Sequence, residues 1–225
     1  MPVSPGGSIR CWIRYRGRVN QGREAAIEIL SSLGVLTGGS LASGINLYMT
    51  VAGFGLAQRF HLINLPGDLG AISHPLIIAA AVLMYLVEFV ADKVPYFDSV
   101  WDSIHTFIRP VGGAALGFMG TANMGPAAQI PVALLTGAVA ADAHLTKATT
   151  RAAINTSPEP LTNSIASITE DAGVAAILYF IIRHPVIATI IAILFIAFSV
   201  WFLRKMFGFL LRVFGVKKTA ARASA

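Results

Sequence analysis

Charge is scarce in this sequence and concentrates in short stretches beside long apolar runs. The stretch EFVADKVPYFDSVWDSIHTFIRP, residues 88–110, places six charged side chains and one histidine directly after the apolar run PLIIAAAVLMYLV. Only 12% of all residues are charged, whereas an average soluble domain has about 25%. Ionisable groups at membrane depth are costly and usually face the protein interior or a wet cavity. The charged stretches are therefore the first candidates for a functional site.

The spacing of these residues predicts that they share helix faces. Glu88 and Asp92 lie one helical turn apart, and His144, Lys147 and Arg151 fall on a common face. Further ionisable residues interrupt or flank the neighbouring apolar segments. The predicted substrate or ion pathway is lined by Asn46, Glu88, Asp92, Lys93, Asp98, Asp102, His105, Arg109, Asp142, His144, Lys147, Arg151, Glu170 and Asp171.

Two kinds of chemistry fit this set. The basic members, together with backbone N–H groups at helix N-termini, would bind an anionic headgroup or a small anion. The carboxylates would balance that charge, take up protons or couple the movement of a cation. A structural interpretation also stays open: Glu88 and Asp92 as interfacial residues paired with Lys93 or Arg109, and residues 142–151 as the positive flank of a span. The acidic pair in the fifth apolar segment would then cap a helix.

Six stretches are predicted to be helical membrane segments. They lie near residues 29–57, 75–92, 111–125, 127–146, 164–182 and 186–203. The third and fifth are short or begin with polar residues, and they resemble the half-helices that form substrate sites in transporters. The first is rich in Gly and Ser and should be buried among other helices. The predicted fold class is therefore all-α, a polytopic helical membrane protein with about six membrane segments, two of them short or discontinuous.

Two amphipathic helices are predicted at the membrane surface. Residues 97–109 combine an apolar stripe with a charged face, which is typical of an interfacial helix rather than a crossing one. Residues 204–218 form a basic amphipathic helix after the last span. The chain thus divides into a basic segment 1–28, a transmembrane domain 29–203 and a basic tail 204–225.

The positive charge predicts the orientation and the partners. The formal net charge is +6, and the basic residues sit mainly at the two ends of the chain. Cationic flanks favour the cytoplasmic side, so both termini are predicted to be cytoplasmic, with an even number of crossings of the inner (plasma) membrane. The ends are expected to contact anionic lipid rather than nucleic acid. A homo-oligomer or a larger membrane complex remains open.

A short internal similarity relates DSIHTFIRPVGGAALGF, residues 102–118, to NSIASITEDAGVAAILYF, residues 163–180. Asp102 aligns with Asn163, and Gly112 aligns with Gly173. Repeats often organise transporters. If this one is a duplication, the second and third segments correspond to the fourth and fifth.

Catalysis and metal binding are not expected, and the cofactor stays unknown. The single cysteine, Cys11, excludes an intramolecular disulfide and a cysteine-based metal cluster. The carboxylates with His105 or His144 do not have the spacing of a known cation cage. The sequence has no nucleophile elbow around its serines, no Walker loop and no dinucleotide fingerprint.

Five motifs resemble those of a family of small bacterial integral membrane proteins known only as a domain of unknown function. They are GSLASGIN at 39–46, Glu-x-x-Ala-Asp-Lys-x-Pro-x-x-Asp at 88–98, Thr-Phe-x-Arg-Pro-x-x-Gly at 106–113, Ala-His-x-x-Lys at 143–147 and Asn-x-x-x-Ser-x-x-Glu-Asp at 163–171. The resemblance covers roughly residues 30–200. It implies a polytopic helical membrane protein and brings no activity or ligand with it.

The sequence favours a transporter or channel-like protein with a charged cavity on its cytoplasmic side, for a small solute, an ion or a lipid headgroup. The alternative is a non-catalytic structural or assembly subunit of a larger membrane complex. Its glycine-rich helices and basic ends would then be contact surfaces.

Overall fold

The computed structural model describes residues 6–94, 96–155 and 160–213, and every regular element in those ranges is helical. This confirms the all-α fold class. Two short 3-10 helices, Gly67–Ser73 and Ala122–Met124, precede α3 and α5. The α-helices are α1 (Gly6–Ile45), α2 (Leu47–Arg59), α3 (Pro75–Ala91), α4 (Phe97–Gly120), α5 (Pro126–Ile154), α6 (Pro160–Arg183) and α7 (Pro185–Val213).

Three helices are long and apolar enough to cross a membrane: Pro126–Ile154, Leu161–Arg183 and Pro185–Gly208. A fourth candidate combines the 3-10 helix Gly67–Ser73 with α3, which meet at an angle of 73°. The last of the three is the most exposed, as predicted, since 17% of its apolar window is buried compared with 28% in the other two. The protein is therefore a helical membrane protein, and six membrane segments remain a prediction.

The predicted first span, 29–57, is not a single helix. α1 ends at Ile45, Asn46 adopts an extended backbone (φ −145°, ψ 99°), and α2 begins at Leu47. Oδ1 of Asn46 accepts a hydrogen bond from the backbone N–H of Met49 at 2.9 Å and so caps α2. One extended residue with a capping side chain is thus enough to interrupt the segment.

α2 turns back toward the end of the bundle from which α1 comes. Both helices pack along α6: Gly38 of α1 contacts Ile181, and Gly53 of α2 contacts Leu178. The loop after α2 lines the same cavity as the earlier part of α1. We call this unit the α1–α2 hairpin, and Asn46 is its tip.

α4 is unbroken over its 24 residues and contains Pro110 in its interior. Residues 97–109 are therefore not a separate interfacial helix, and residues 111–125 are not a half-helix. An interfacial helix would turn its charged face to water, whereas here Arg109 is 0% exposed and Phe97 is 51% exposed. The charged face is buried because α3, α5 and α6 supply partners for it, as described below.

α6 is also a continuous helix, so the fifth predicted segment is not a half-helix either. Its polar start faces the interior, where Asn163 is 0% and Ser167 1% exposed. Residues 147–154, predicted to belong to a polar loop, form the last two turns of α5. They remain helical because Lys147 and Arg151 are buried among carboxylates.

The predicted domain boundaries fall inside helices. α1 begins at Gly6 and runs through the boundary at residue 28, while α7 runs through the boundary at residue 203 to Val213. The predicted surface helix 204–218 is thus a continuation of α7 as far as Val213, and residues 214–225 lie outside the described ranges. The predicted turn between the last two segments is confirmed, since His184 alone separates α6 from α7.

Small residues let the helices approach closely, as predicted for the first segment. A Cβ atom added at Gly113 of α4 would lie 2.8 Å from the backbone oxygen of Thr136 in α5. A Cβ atom added at Gly44 of α1 would likewise be too close to the backbone oxygen of Ala140 in α5. α4 and α5 form the most extensive helix pair, and α1 packs against both of them.

α1 and α7 run in the same direction. A Cβ atom added at Gly34 would lie 2.7 Å from Cβ of Pro185, and one added at Gly38 would lie 3.5 Å from Cβ of Ala188. Contacts that lie nearer the C-terminus of α1 therefore also lie nearer the C-terminus of α7, so the two helices are parallel. The beginning of α1 and the end of α7 consequently lie at opposite ends of the bundle.

Candidate functional site

Four helices bring ionisable side chains together inside the bundle. α3 contributes two carboxylates at its C-terminal end, α4 a carboxylate and a guanidinium, α5 a lysine and an arginine, and α6 one carboxylate. The first six are at most 5% exposed, whereas the side chain from α6 is 19% exposed. We define the ion network as Glu88, Asp92, Asp102, Arg109, Lys147, Arg151 and Glu170. All seven belong to the predicted pathway set.

Arg109 ties α4 to three other helices. Its Nη2 donates a hydrogen bond to Oε1 of Glu88 and lies 3.7 Å from Oδ1 of Asp102. Its Nη1 donates to the backbone oxygen of Gly44, at the end of α1, at 3.1 Å. The same Nη1 donates to Nδ1 of His144 at 2.8 Å.

Lys147 contacts carboxylates from three helices. Its Nζ donates a hydrogen bond to Oδ2 of Asp92 at 2.7 Å. It also lies 3.5 Å from both Oε1 of Glu88 and Oε2 of Glu170, and 3.9 Å from Oδ1 of Asp102. The ammonium group is therefore shared by α3, α4 and α6.

Arg151 makes the most specific pair of the network. Its Nε and Nη2 donate to the two carboxylate oxygens of Glu170 at 3.1 and 2.8 Å, which is a bidentate arrangement. Its Nη1 donates to the backbone oxygens of Asp92 and Asn163 at 3.2 and 3.0 Å. The fork geometry of a guanidinium is needed to make all four bonds.

The network holds more acids than bases, with four carboxylates and three cations. In the part of the chain that the structure describes, neither Oδ1 nor Oδ2 of Asp102 has a hydrogen-bond partner, and Oε2 of Glu88 and Oδ1 of Asp92 also lack one. Buried carboxylate oxygens without donors are costly. Nε of Arg109 is a buried donor that also lacks a partner among the described residues, so the hydrogen bonding of the network is incomplete on both its acidic and its basic side.

His144 is a neutral imidazole with its proton on Nε2. Its Nδ1 faces a guanidinium N–H of Arg109 and must therefore accept. Its Nε2–H then donates to the backbone oxygen of Asp102 at 3.0 Å, with Oγ1 of Thr106 also at 3.0 Å. His144 thus orients Arg109 without adding charge.

His105 belongs to an aromatic group beside the network. Its Nδ1 lies 2.8 Å from the backbone oxygen of Trp101 and donates to it, so Nε2 accepts from the hydroxyl of Tyr48 at 3.1 Å. The rings of Trp101 and His105 are stacked, with centroids 4.6 Å apart. His105 therefore couples α4 to the start of α2.

The tip of the α1–α2 hairpin bonds a second acidic group. Nδ2 of Asn46 donates to Oδ1 of Asp171 at 3.1 Å, and the hydroxyl of Tyr85 donates to Oδ2 at 3.3 Å. Nearby, Nζ of Lys93 donates to Oγ of Ser167 at 3.3 Å. Partial burial lowers the pKa of Lys93, and the charge of Asp171 opposes that shift.

Asp98 sits in a chain of amides that extends the network. Nδ2 of Asn155 donates to both carboxylate oxygens of Asp98 at 2.9 Å, and the backbone N–H of Ser99 donates to Oδ1 at 2.7 Å. Nδ2 of Asn163 donates to Oδ1 of Asn155 at 3.1 Å. The backbone oxygen of Asn163 in turn binds Arg151.

Asp142 points away from these groups. Its Oδ2 accepts a hydrogen bond from Oγ of Ser199, so this carboxylate joins α5 to α7. Its place in a pathway stays a prediction.

A second polar region lies at the other end of the bundle. A cavity of about 730 Å³ is lined by polar residues that include Glu28, His61 and Asn123. Gly120, at the end of α4, also lines this cavity. It is about 16 Å from Arg109 along the helix, at about 1.5 Å per residue. We call this cavity the vestibule.

An apolar layer lies beside the vestibule. It consists of Leu36 of α1, Leu69 of the 3-10 helix Gly67–Ser73, and Leu116 of α4, which belong to one buried cluster and are 7%, 0% and 5% exposed. On α4, Leu116 lies between Arg109 and the vestibule residue Gly120.

Several polar residues of the site were not singled out from the sequence as pathway residues. They are Tyr48, Tyr85, Thr106, Asn155 and Asn163. Thr106 and Asn163 could have been found, because each is the first residue of a motif, at 106–113 and at 163–171. The other three gave no signal, because neutral polar side chains at these positions fit lipid-facing and interior helix faces equally well.

A metal cage is not part of the described structure: no group of three or more His, Cys, Asp or Glu side chains within it is arranged to hold a metal ion. The carboxylates of the network are held by arginine and lysine instead. Any cation that the network accepts would therefore have to compete with these basic side chains.

The chain matches one family model, described as a domain of unknown function, DUF4126, over residues 33–205. This range contains the whole ion network, the tip of the α1–α2 hairpin and the apolar layer. No curated protein matches the chain, and no solved structure matches it. Because the match covers well over half of the 225 residues, the chain belongs to the DUF4126 family.

Proposed function

We propose that the protein is a multi-pass transporter or channel-like protein of the inner (plasma) membrane that moves a small cation through the ion network. The observation that carries the proposal is the surplus of acid in the ion network. Four carboxylates, three of them buried and Glu170 at the exposed edge, face three cations, and some of the carboxylate oxygens lack partners among the described residues. A purely structural cluster would gain from exact pairing, since each unpaired buried charge is destabilising. Intramembrane ionisable residues of this kind mark ion and substrate pathways.

The α1–α2 hairpin supports the same proposal. Transporter sites are commonly formed where a helix is interrupted at membrane depth. Here the interruption lies at Asn46, beside Asp171, and the last turn of α1 offers the backbone oxygen of Gly44 to Arg109. A cation leaving the network would find these oxygens within the same region.

The vestibule gives the pathway a second end. Its polar lining and the ion network flank the apolar layer of Leu36, Leu69 and Leu116. This is the arrangement expected of a closed pathway, in which a thin apolar barrier must part before an ion can pass.

The basic residues that follow the apolar part of α7 favour the network end of the bundle as the cytoplasmic end. Arg204 and Lys205 are exposed there and would contact anionic lipid. We include the lipid surface as a partner in the proposal. A homo-oligomer or a larger complex is compatible with it.

The test uses the purified protein in sealed vesicles. Trapped fluorescent indicators report H⁺, Na⁺ and K⁺ while a gradient of each cation is imposed in turn. We expect the wild-type protein to move at least one of the three. Glu88→Gln and Glu170→Gln should each lower that flux at least tenfold per folded molecule, because both substitutions remove a negative charge from the network.

Glu24→Gln is the matched control, since Glu24 is exposed on α1 outside the network, and its flux should equal that of the wild type. Equal flux in Glu88→Gln, Glu170→Gln and the wild type would overturn the proposal, as would flux of none of the three cations. Recovery of the protein after gentle solubilisation with stoichiometric partners and without flux would support the assembly-subunit alternative instead.

A further inference from the structure

We infer that Asp102 is the proton-binding site of the ion network. In the resting protein the Asp102 carboxyl is protonated, while the carboxyls of Glu88, Asp92 and Glu170 are ionised. The inference rests on the proposed function in one respect, because it names the proton as the cation that the network carries. It also stands alone as a statement about the resting protein.

Charge balance points to one proton. The network contains three basic side chains and four carboxyls, and His144 is neutral because its Nδ1 accepts from Arg109. Three ionised carboxyls therefore balance the bases. The fourth is cheaper to keep neutral than to leave as an uncompensated charge in the interior of the bundle.

Hydrogen bonding identifies which carboxyl is neutral. Glu88 accepts from Arg109, Asp92 accepts from Lys147, and Glu170 accepts on both oxygens from Arg151. Within the described ranges Asp102 alone of the four has no hydrogen-bond partner on either oxygen. It is 3% exposed, so bulk solvent does not replace the missing donors.

The nearest cations are too far from Asp102 for hydrogen bonds. Nη2 of Arg109 and Nζ of Lys147 lie 3.7 and 3.9 Å from Oδ1. Both nitrogens are nearer to other carboxylates of the network. The groups that surround Asp102 are Glu88 and Asp92 of α3, Arg109 and His105 of α4, His144, Lys147 and Arg151 of α5, and Glu170 of α6.

The exposed edge of the network gives the proton a route. The side chain of Glu170 is 19% exposed, and its Oε2 lies 3.5 Å from Nζ of Lys147. The same Nζ lies 3.9 Å from Oδ1 of Asp102. A proton entering from water would reach Glu170 first. Lys147 would then have to turn toward Asp102 to form a hydrogen bond, after which its ammonium gives up one proton to Asp102 and regains one from Glu170.

The first measurement is made on the wild-type protein in lipid. Infrared spectra are recorded across a pH titration, with aspartate labelled with ¹³C at its side-chain carboxyl. We expect the carbonyl band of a protonated aspartic acid at neutral pH, where exposed carboxyls of ordinary pKa, about 4, are ionised. Absence of a protonated aspartate band at neutral pH overturns the inference.

The second measurement assigns the band to one residue. Asp102→Asn should remove it, while the exposed control Asp68→Asn should retain it. A band that persists in Asp102→Asn overturns the inference. Because asparagine resembles the neutral acid in shape and charge, Asp102→Asn should also melt at the wild-type temperature at neutral pH, whereas Glu88→Gln should melt lower.

Two outcomes would show that position 102 needs a charge and would overturn the inference. One is a fall in the melting temperature of Asp102→Asn as large as that of Glu88→Gln. The other is that Asp102→Asn fails to fold while Asp68→Asn folds. The two proposals fail differently. Vesicles that move Na⁺ or K⁺ but show no aspartic acid band would leave the proposed function standing without this site. A band at Asp102 without any cation flux would leave the site and remove the function.

Discussion

The pair between Glu88 and Arg109 is fully buried, since neither side chain has any exposed surface. Removing one partner leaves the other as an uncompensated charge. We therefore expect Glu88→Gln and Arg109→Gln each to lower the free energy of unfolding by about 3–5 kcal/mol. The double variant should lose less than the sum of the two. Denaturant titration in detergent micelles measures all three.

Glu24→Gln serves as the control, since the same chemical change at an exposed position should alter the unfolding free energy by less than about 0.5 kcal/mol. Additive losses in the double variant would contradict a direct coupling of the two charges.

Arg151 is expected to resist replacement by lysine. Its guanidinium makes two bonds to Glu170 and two to backbone oxygens, and a lysine ammonium cannot match this planar fork. Arg151→Lys should cost about 1.5–3 kcal/mol in the free energy of unfolding. Arg59→Lys, at an exposed position of α2, should cost almost nothing. Equal stability of the two variants would show that only charge matters at residue 151.

At the residue level, sequence spacing predicted much of the network. Glu88 with Asp92, and Lys147 with Arg151, were expected on shared faces because they are four residues apart, and the structure places them so. The partner of each charge was not predictable. Arg109 could pair with Glu88 or with any other acid, and only the packing of α3 against α4 decides this.

Among the elements, the α4–α5 pair depends on close contact of two backbones. A Cβ atom at position 113 would lie 2.8 Å from the backbone oxygen of Thr136, which cannot rotate away. Gly113→Ala should therefore lower the free energy of unfolding by about 1–3 kcal/mol. Gly173→Ala is the matched control in α6, because its added Cβ would meet nothing within 4 Å.

The control variant Gly173→Ala should leave the free energy of unfolding unchanged or raise it by up to about 1 kcal/mol, since alanine favours a helix more than glycine does. A neutral Gly113→Ala would mean that α4 and α5 can separate at little cost. Thermal melts of both variants in the same detergent decide between these outcomes.

The tip of the α1–α2 hairpin combines two bonds that substitution can separate. Asn46→Ser keeps an oxygen that caps α2 but loses the donor to Asp171, whereas Asn46→Ala loses both. We expect the alanine variant to be less stable than the serine variant by about 1 kcal/mol, the usual value of a cap. Identical melting temperatures would argue that the cap at residue 46 contributes nothing.

Helix boundaries were the least predictable part of the fold. The interruption at Asn46 was missed because a run of small and apolar residues continues on both sides, although asparagine before an apolar segment is a known cap signal. Conversely, Pro110 was taken as the start of a new segment. Instead α4 continues through Pro110, as membrane helices that contain proline can do.

For the whole molecule, the directions of α1 and α7 give a prediction about topology. The two helices run parallel, so we expect the chain termini on opposite sides of the membrane, although the charge pattern favours both in the cytoplasm. A membrane-impermeant maleimide should label Cys11 in vesicles of one orientation. In a Cys11→Ser background, Ala225→Cys should be labelled in vesicles of the opposite orientation. Labelling of both positions from the same side would restore the charge-based prediction.

The internal similarity takes a particular form in the network. α3 ends with two acids one turn apart, and α4 supplies the arginine that pairs with the first of them. α5 ends with two bases one turn apart, and α6 supplies the glutamate that pairs with Arg151. The two halves thus use opposite signs of charge, although the paired residue is the first of the two acids in α3 and the second of the two bases in α5. This fits the predicted correspondence of segments, and the duplication itself remains a prediction.

The position of Lys147 has a mechanical consequence. Both α3 and α6 form ion pairs with this one ammonium, through Asp92 at 2.7 Å and Glu170 at 3.5 Å. Close contacts at glycine residues pack α4 tightly against α5. We therefore expect an outward displacement of α3 to leave the ammonium to Glu170 of α6, and an outward displacement of α6 to leave it to Asp92. One lysine would thus make the position of each of these helices depend on the position of the other.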